Sequence, residues 1–322
     1  MRRRRLLAKR VVSLAITMFA VWTLNFVLFH MLPGDPAYAL VGTRIPKEQA
    51  DELREKLGLN KSIPEQYIIA TELLLQGELG YSWFYKKPVT EVVMERMKYT
   101  LLLVGVGTFF AVLIGVNLGI LAGSRRGGPL DVTIVGSSLA FYAMPAFWLS
   151  MIFLMIFAVE LDLFPLRGFT TYTGGDVSGW DTFKDALWHM VLPVSVFVLV
   201  SISEFVLMMR NALIDVLTED YITTARAKGI SPRNIIRRHA VPNALIPTVA
   251  TTAMFIGWVV TGVIMIEIVF SWPGIGTLTW DAIKQQDYPV LQGIFLVVTL
   301  TMLLANFAAD ILYTYIDPRV NI

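Results

Sequence analysis

The chain of 322 residues contains no cysteine, which excludes disulfides, thiolate nucleophiles and cysteine-ligated metals. Its three histidines, His30, His189 and His239, lie far apart and lack the spacing of a metal-binding helix. It has no phosphate-binding loop ending in Gly-Lys-Ser or Gly-Lys-Thr, and no nucleophile and base stand at the spacing of an intramembrane enzyme. We therefore expect no catalytic, cofactor or metal site, and we predict that the chain is not an enzyme.

Charged side chains are also scarce, at 16% of the residues against 55% for hydrophobic ones, which is unlike a soluble protein. The apolar residues form runs of at least about 18 residues, long enough to cross about 30 Å of hydrocarbon as helices. Barrel strands would alternate in polarity, and these runs do not. The sequence therefore predicts an all-α integral membrane protein. Its six transmembrane helices are predicted at residues 11–32, 99–121, 132–159, 187–209, 248–270 and 290–316.

The basic residues lie mainly on one side of these predicted spans. Six precede the first span, two lie between the second and third, and six lie between the fourth and fifth. Because short loops rich in Lys and Arg stay in the cytoplasm, we expect both termini, residues 1–10 and 317–322, to be cytoplasmic.

The arginines of residues 2–5, followed by an apolar run and by small residues at 37–39, also resemble a secretory signal. The run is longer than the apolar core of a signal, so we predict that it is the first span.

Residues 33–98, between the first two spans, are predicted to form a small helical external domain. One charged helix is expected at 46–58 and a second at 64–77, each opened by proline and closed by glycine. A third is expected to begin at Thr90 and to continue into the second span. The polar faces of these helices suit either a cap on the outer end of the bundle or a surface that contacts another protein.

Residues 210–247 are predicted to be an ordered cytoplasmic loop that contains two short helices. Thr218 is expected to cap the first helix and Gly229 to end it, whereas Ser231 caps the second and Pro242 stops it. The isoleucines of the second helix are expected to face inward and its arginines outward. Because a simple connection needs only a handful of residues, this loop predicts a docking surface for another protein. An electrostatic anchor to anionic lipid is the alternative.

Two kinds of residue stand out inside the predicted spans. Gly115, Gly119 and Gly123 form a stripe at four-residue spacing, which favours close packing against another helix. Glu204 lies in an apolar span, where a carboxylate normally faces a cavity or a partner. It is therefore a candidate either for lining a water-filled path or for pairing with Arg210.

A second acidic residue, Glu267, precedes the turn Ser271-Trp272-Pro273-Gly274 at the end of the fifth span. Glu267 and Trp272 are candidates for a gate that closes the outer mouth of such a path. A hydrogen bond that braces the turn is the alternative.

The segment 221–247 reads Tyr-Ile-Thr-Thr-Ala-Arg-Ala-Lys-Gly-Ile-Ser-Pro-Arg-Asn-Ile-Ile-Arg-Arg-His-Ala-Val-Pro-Asn-Ala-Leu-Ile-Pro. It resembles the EAA loop of ABC-importer permeases, in the form found in the dipeptide and oligopeptide (peptide/nickel) permease family. Residues 32–36, 65–67, 77–80, 270–276, 287–293 and 317–319 also resemble the first of that family's two permease subunits. Ala225, Gly229 and Pro242 match the general loop motif, whereas Thr223, Thr224 and His239 replace its glutamate, first alanine and an apolar residue.

The resemblance implies a type I ABC-importer permease fold, with residues 99–316 as the transmembrane domain, and import of dipeptides or oligopeptides by alternating access. The implied partners are a second homologous permease subunit, two ATPase subunits that bind ATP and Mg, an extracytoplasmic substrate-binding protein and membrane lipid, and no nucleic acid. The implied location is the plasma (inner) membrane of a prokaryote. The residues implied to couple to the ATPases are Tyr221, Thr224, Ala225, Ala227, Gly229 and Pro242.

Two alternatives remain open on the sequence. Members of the resembled family also carry nickel chelates, glutathione or oligosaccharides, so the same machine could serve another substrate. A proton-coupled secondary transporter also has many spans and buried carboxylates, but it would favour inverted repeats and interrupted helices. We find no repeat between the two halves of this sequence.

Overall fold

The structure is a computed structural model that describes residues 2–30, 61–82, 84–172, 178–246, 248, 252, 255 and 263–316. The chain divides into two compact units. The first unit is Met1–Thr100 with Pro273–Phe307, and the second is Leu101–Trp272 with Ala308–Ile322.

Helices make up most of the described residues. In chain order they are α1 (Arg2–His30), α2 (Ile63–Leu75), α3 (Val89–Ser124), α4 (Pro129–Ala143), α5 (Ala146–Phe153), α6 (Gly179–Leu217), α7 (Asp220–Ala227), α8 (Pro232–Asn234), α9 (Ile264–Val269), α10 (Ile275–Gln285) and α11 (Tyr288–Ile316). Two π-helical segments, Leu154–Glu160 and Ile235–Ala240, continue α5 and α8. Strands β1 (Tyr81–Ser82) and β2 (Lys87–Pro88) form an antiparallel hairpin.

Four helical segments in the described part of the chain are long and apolar enough to cross a membrane. They are Arg10–Phe29, Val89–Ser124, Gly179–Val216 and Tyr288–Ala308. Helix α4, together with α5 and its π-helical continuation, makes a fifth span if this bent pair is counted as one crossing. Most of the predicted span at 248–270 lies outside the described residues, so the total of six helices stays a prediction.

The third predicted span is broken rather than continuous. Helix α4 ends at Ala143, and the axis of the helix that follows is turned by 99°. Met144 is extended at φ −79° and ψ 133°, and Pro145 precedes the first residue of α5. Proline lacks the N–H of a helical hydrogen bond and disfavours helical conformation in the residue before it. The predicted span at 132–159 is therefore interrupted at Met144 and Pro145, a break that the sequence analysis did not predict.

In the first unit, helix α2 confirms the helix that was predicted at 64–77. The hydroxyl and the backbone N–H of Ser62 both donate to the Glu65 carboxylate, at 2.8 and 3.0 Å. These hydrogen bonds lower the pKa of Glu65, and the bond from the backbone N–H belongs to a capping box at the start of α2. The predicted helix that continues into the second span is confirmed as α3, which begins at Val89. The helix predicted at 46–58 lies outside the described residues.

The hairpin of the first unit was not predicted. The Ser82 hydroxyl donates to Oδ2 of Asp287 at 2.5 Å and accepts from the backbone N–H of Tyr85 at 3.0 Å. Ser82 and Asp287 are both buried, and burial raises the pKa of the Asp287 carboxyl even though the Ser82 bond opposes that rise. Because its partner lies 205 positions away in the sequence, the structure of this hairpin could not be recognised from local pattern.

In the second unit, the glycine stripe of α3 lies directly against α6. A Cβ atom added at Gly119 would lie 2.7 Å from the carbonyl oxygen of Val206, and one at Gly115 would lie 2.7 Å from Cβ of Phe205. One at Gly123 would lie 3.1 Å from the carbonyl oxygen of Arg210. The helices approach this closely only because the glycines have no side chain, which confirms the predicted packing role.

Helix α6 is longer than its predicted span at 187–209. Its 39 residues correspond to about 58 Å, which is nearly twice the thickness of the hydrocarbon core. The helix therefore extends beyond the apolar layer, and its last turns belong to the segment that was predicted to be a loop.

Candidate functional site

The site is built on the end of α6, where the chain leaves the fourth predicted span. The Thr218 hydroxyl donates to the carbonyl oxygen of Asp215 at 2.6 Å, and Thr218 has the right-handed helical conformation that ends α6. Helix α7 begins only at Asp220, after Glu219 in extended conformation. The prediction that Thr218 caps this helix was therefore wrong, because α6 continues further than its apolar run.

Gly229 ends α7, as predicted. Its φ of +74° lies in the left-handed region that glycine adopts without steric cost. The N–H of Gly229 donates to the carbonyl oxygen of Arg226 at 2.9 Å, and the N–H of Ile230 donates to that of Ala225 at 3.3 Å. These two bonds form a Schellman motif, which fixes the angle at which the chain leaves α7.

The second helix begins at Pro232 after Ser231, as predicted, but it does not stop at Pro242. Its π-helical segment Ile235–Ala240 runs directly into helical residues 241–246. A proline ring normally clashes with the carbonyl group four residues earlier, and the wider turn of a π-helix relieves that clash. The local rule that proline ends a helix failed here because the preceding turn is not a regular α-helical turn.

Helix α7 and residues 232–246, which we call the helix pair, pack on the end of α6 through one buried apolar cluster. Ile222 and Ala225 of α7 enter this cluster from one side. It consists of Met209, Leu213, Ile222, Ala225, Ile235, Ala240 and Ala244. The predicted inward and outward faces of the second helix are confirmed, since Ile235 is buried and Arg237 is exposed. The helix pair is therefore a firmly packed extension of α6.

The outer surface of the helix pair is basic and carries most of the predicted coupling residues. Tyr221, Thr224, Ala227, Gly229 and Pro242 are exposed, whereas Ala225 is buried. Exposed basic side chains surround them, namely Arg226, Lys228, Arg233, Arg237 and Arg238. Partial burial raises the pKa of the Tyr221 hydroxyl, and nearby Glu219 acts in the same direction. A side-chain hydrogen bond with Asn243 acts on this pKa in the opposite direction.

An ion pair that the sequence analysis missed joins α6 to the start of α4. Nε of Arg210 lies 2.6 Å from Oδ1 of Asp131, and Nη2 lies 2.8 Å from Oδ2. The N–H of Gly127 also donates to Oδ2 at 2.8 Å, and only 4% of the Asp131 side chain is exposed. Such a two-pronged geometry is the strongest form of an arginine–carboxylate contact. The only sequence signal was an acidic residue in the first turn of an apolar helix.

Glu204 lies on the exposed side of α6, away from the glycine stripe. Within the described part of the chain, no residue forms a hydrogen bond or an ion pair with its carboxyl group. Arg210, the predicted alternative partner, is engaged with Asp131 instead. The structure therefore does not bring Glu204 and Arg210 together.

Glu267 and Trp272 are both enclosed in the second unit, each with 0% exposure. The N–H of Trp272 donates to the carbonyl oxygen of Glu267 at 2.8 Å, which closes the turn between them. The Trp272 ring meets Phe169 edge to face at 5.1 Å, and the N–H of Gly168 donates to the carbonyl oxygen of Phe270 at 2.9 Å. The turn is thus braced by the segment that follows α5.

Comparison with known protein families matches both parts of the chain. Residues 115–322 match the family described as "Binding-protein-dependent transport system inner membrane component". Residues 3–104 match the family described as "Binding-prot-dependent transport system membrane comp, N-term".

Similar proteins match over nearly the whole length. The dipeptide transport system permease protein DppB of Escherichia coli (strain K12) is 36% identical, with 95% of each chain covered. The oligopeptide transport system permease protein AppB of Bacillus subtilis (strain 168) is 33% identical, covering 94% of this chain and 95% of that protein. The glutathione transport system permease protein GsiC of Escherichia coli O6:H1 is 34% identical, with 97% of each covered.

A solved structure of the MetNI methionine ABC transporter in an inward-facing conformation has a similar fold. The TM-score is 0.57 at 19% sequence identity, and the match covers 70% of this chain and 96% of that chain. At this identity the likeness concerns the fold alone.

Proposed function

The chain belongs to the family of binding-protein-dependent transport system inner membrane components, and from this premise we propose that it is the permease subunit of an ATP-driven peptide importer. The observation that carries the proposal is similarity over nearly the full length to permease subunits named for dipeptides and oligopeptides. The fold of the MetNI transporter is consistent with the expected type I importer permease.

In this proposal the helix pair is the surface that the ATPase subunits grip. Its buried cluster, the Schellman motif at Gly229 and the direct packing on α6 support this role, because a rigid segment transmits a partner's movement to the attached helix. The five exposed basic side chains suit a partner groove that carries acidic groups. ATP and Mg are bound and ATP is hydrolysed by those partner chains.

The remaining assignments are also part of this proposal. A second, homologous permease completes the membrane channel, and an extracytoplasmic binding protein delivers the substrate. Both termini face the cytoplasm of a prokaryotic cell, as the distribution of Lys and Arg supports. Glu204 lines the translocation path because it is exposed on an apolar helix. For Glu267 and Trp272 we propose the bracing role, because both side chains are enclosed.

Two matched glycines test the docking role. Gly229 and Gly127 both adopt positive φ, at +74° and +77°, and a Cβ atom at either would meet nothing within 4 Å. Tryptophan at either position costs about 1–2 kcal/mol of backbone strain, but only Gly229 lies on the helix pair. We expect Gly229→Trp to lower ATP-dependent peptide uptake at least about tenfold and to reduce co-purification of the ATPases. Gly127→Trp should retain most uptake and the full set of subunits.

Equal loss of uptake in the two variants, or normal uptake by Gly229→Trp, would contradict docking at the helix pair. The same reconstituted vesicles separate the importer from a proton-coupled carrier. Uptake should require ATP on the ATPase side and should persist when a protonophore collapses the proton gradient. Uptake that is driven by the gradient without ATP would overturn the importer proposal.

A further inference from the structure

Helix α6 carries four polar residues and one methionine on the side that is turned away from α3, and we call this face the polar stripe. Ser201, Glu204, Met208, Asn211 and Asp215 follow one another at spacings of three and four residues, which places them on one helix face. Glu204, Asn211 and Asp215 are exposed, and the other two are partly exposed.

The other side of the same helix is closed. Phe205, Val206 and Met209 are each 0% exposed and lie against the glycine stripe of α3. Ser203, on the helix between the two sides, is 2% exposed. In this stretch of α6, the polar stripe is therefore the surface that another molecule can contact.

Glu204 lies within the predicted span at 187–209, five residues before its end, which corresponds to about 8 Å along the helix axis. A carboxyl group at that depth is costly unless it meets water or a partner group. Within the described residues Arg210 is paired with Asp131, so this cation is not available to Glu204.

We infer that the polar stripe on α6 is this subunit's wall of the translocation path, and that Glu204 receives the N-terminal ammonium group of the passing peptide. The inference rests on the proposed import function. A free peptide amino group has a pKa of about 8 and is cationic at neutral pH, so a carboxylate attracts it and forms a charge-assisted hydrogen bond. The carboxylate end of a peptide would be repelled, so the site also orients the substrate.

Met208 suits the same role, one turn further along the stripe. Its unbranched, polarizable side chain adapts to surfaces of different shape, which a path for peptides of varied sequence requires. Glu204 thus supplies a charge for the amino terminus, which all free peptides share. Met208 supplies an adaptable contact for the side chains, which differ between peptides.

The absence of cysteine from the natural chain allows a direct test. Met208→Cys is introduced into the complete transporter in membrane vesicles, with Glu204 intact or as Glu204→Gln. The probes are the membrane-impermeant thiosulfonates that carry a trimethylammonium or a sulfonate group. Ser203→Cys serves as the buried control, because its position is 2% exposed.

We expect Met208→Cys to react with both reagents and Ser203→Cys to react with neither. A charge about 6 Å away changes the local concentrations of cation and anion in opposite directions. Glu204→Gln should therefore lower the ratio of cationic to anionic reaction rates by about tenfold at low salt. An unchanged ratio, or an unreactive Met208→Cys in a transporter that imports peptide, would overturn the inference and leave the proposed function intact.

One further outcome would also overturn it. If Glu204→Gln releases the second permease from the purified complex, Glu204 pairs with a cation of that partner and does not face the path. Failure of the unaltered complex to import any peptide would instead count against the proposed function, and the uptake assay detects this separately from the labelling.

Discussion

On one side of α6, Phe205, Val206 and Met209 lie against the glycines of α3, whereas on the other side Glu204 and Asn211 remain exposed. Both sides belong to the single continuous helix α6. The closed side holds the second unit together through close backbone contact and one ion pair. The open side contributes little to that packing. Its polar residues can therefore contact a substrate or a partner protein.

The largest effect is expected from the ion pair of the closed side. Asp131→Asn leaves the Arg210 guanidinium partly buried without a counter-charge, which should cost about 3 kcal/mol of stability. The measurement is the thermal or denaturant unfolding of the detergent-purified complex. Asp215→Asn on the open side is the matched control and should change stability by no more than about 0.5 kcal/mol. If the two substitutions changed the stability equally, the closed and open sides of α6 would not differ in their contribution to stability.

The glycine contact gives the next largest effect. An alanine Cβ at Gly119 would lie 2.7 Å from a backbone oxygen of α6, so Gly119→Ala should destabilise by about 1–3 kcal/mol. Gly105→Ala, in the same helix but with nothing within 4 Å, should be neutral or stabilise by up to about 1 kcal/mol through helix propensity. Unfolding of the two variants under identical conditions checks the prediction. A Gly119→Ala protein as stable as Gly105→Ala would show that the two helices are not held this closely.

The smallest effect on stability is expected on the open side. Glu204→Gln removes an exposed charge that the described residues do not pair, so the unfolding midpoint should move little. Peptide import should nevertheless fall by about tenfold, because a hydrogen bond to a charged group is lost along the path. The measurements are unfolding of the purified complex and initial uptake rates with several peptides. Unaltered uptake rate and substrate preference would argue against a path-lining role.

Local features of this protein were predictable from sequence. The stripe at Gly115, Gly119 and Gly123 and the helix end at Gly229 were recognised because each depends on residues a few positions apart. The inward face of the second helix of the helix pair followed from periodicity in the same way. Such features need only the geometry of one helix.

Predictions from local sequence rules failed where a distant residue or an irregular helical turn changed the local structure. The helical cap was predicted at Thr218, but α6 continues to Leu217 and Glu219 occupies the N-cap position of α7. Pro242 was expected to stop the second helix of the helix pair. That helix continues past Pro242 because the preceding turn is π-helical. At Pro145 the opposite error occurred. The long apolar run predicted one span, but the helix is broken there.

The sequence by itself determined that the chain is a helical membrane protein and where its helices can pack closely, because hydrophobic runs and glycine spacing are local properties of the chain. Only the tertiary structure decided that Arg210 pairs with Asp131 and leaves Glu204 exposed, since those partners stand 79 positions apart. A charge in an apolar helix must find a counter-charge, water or a ligand, and that choice depends on which helix lies beside it.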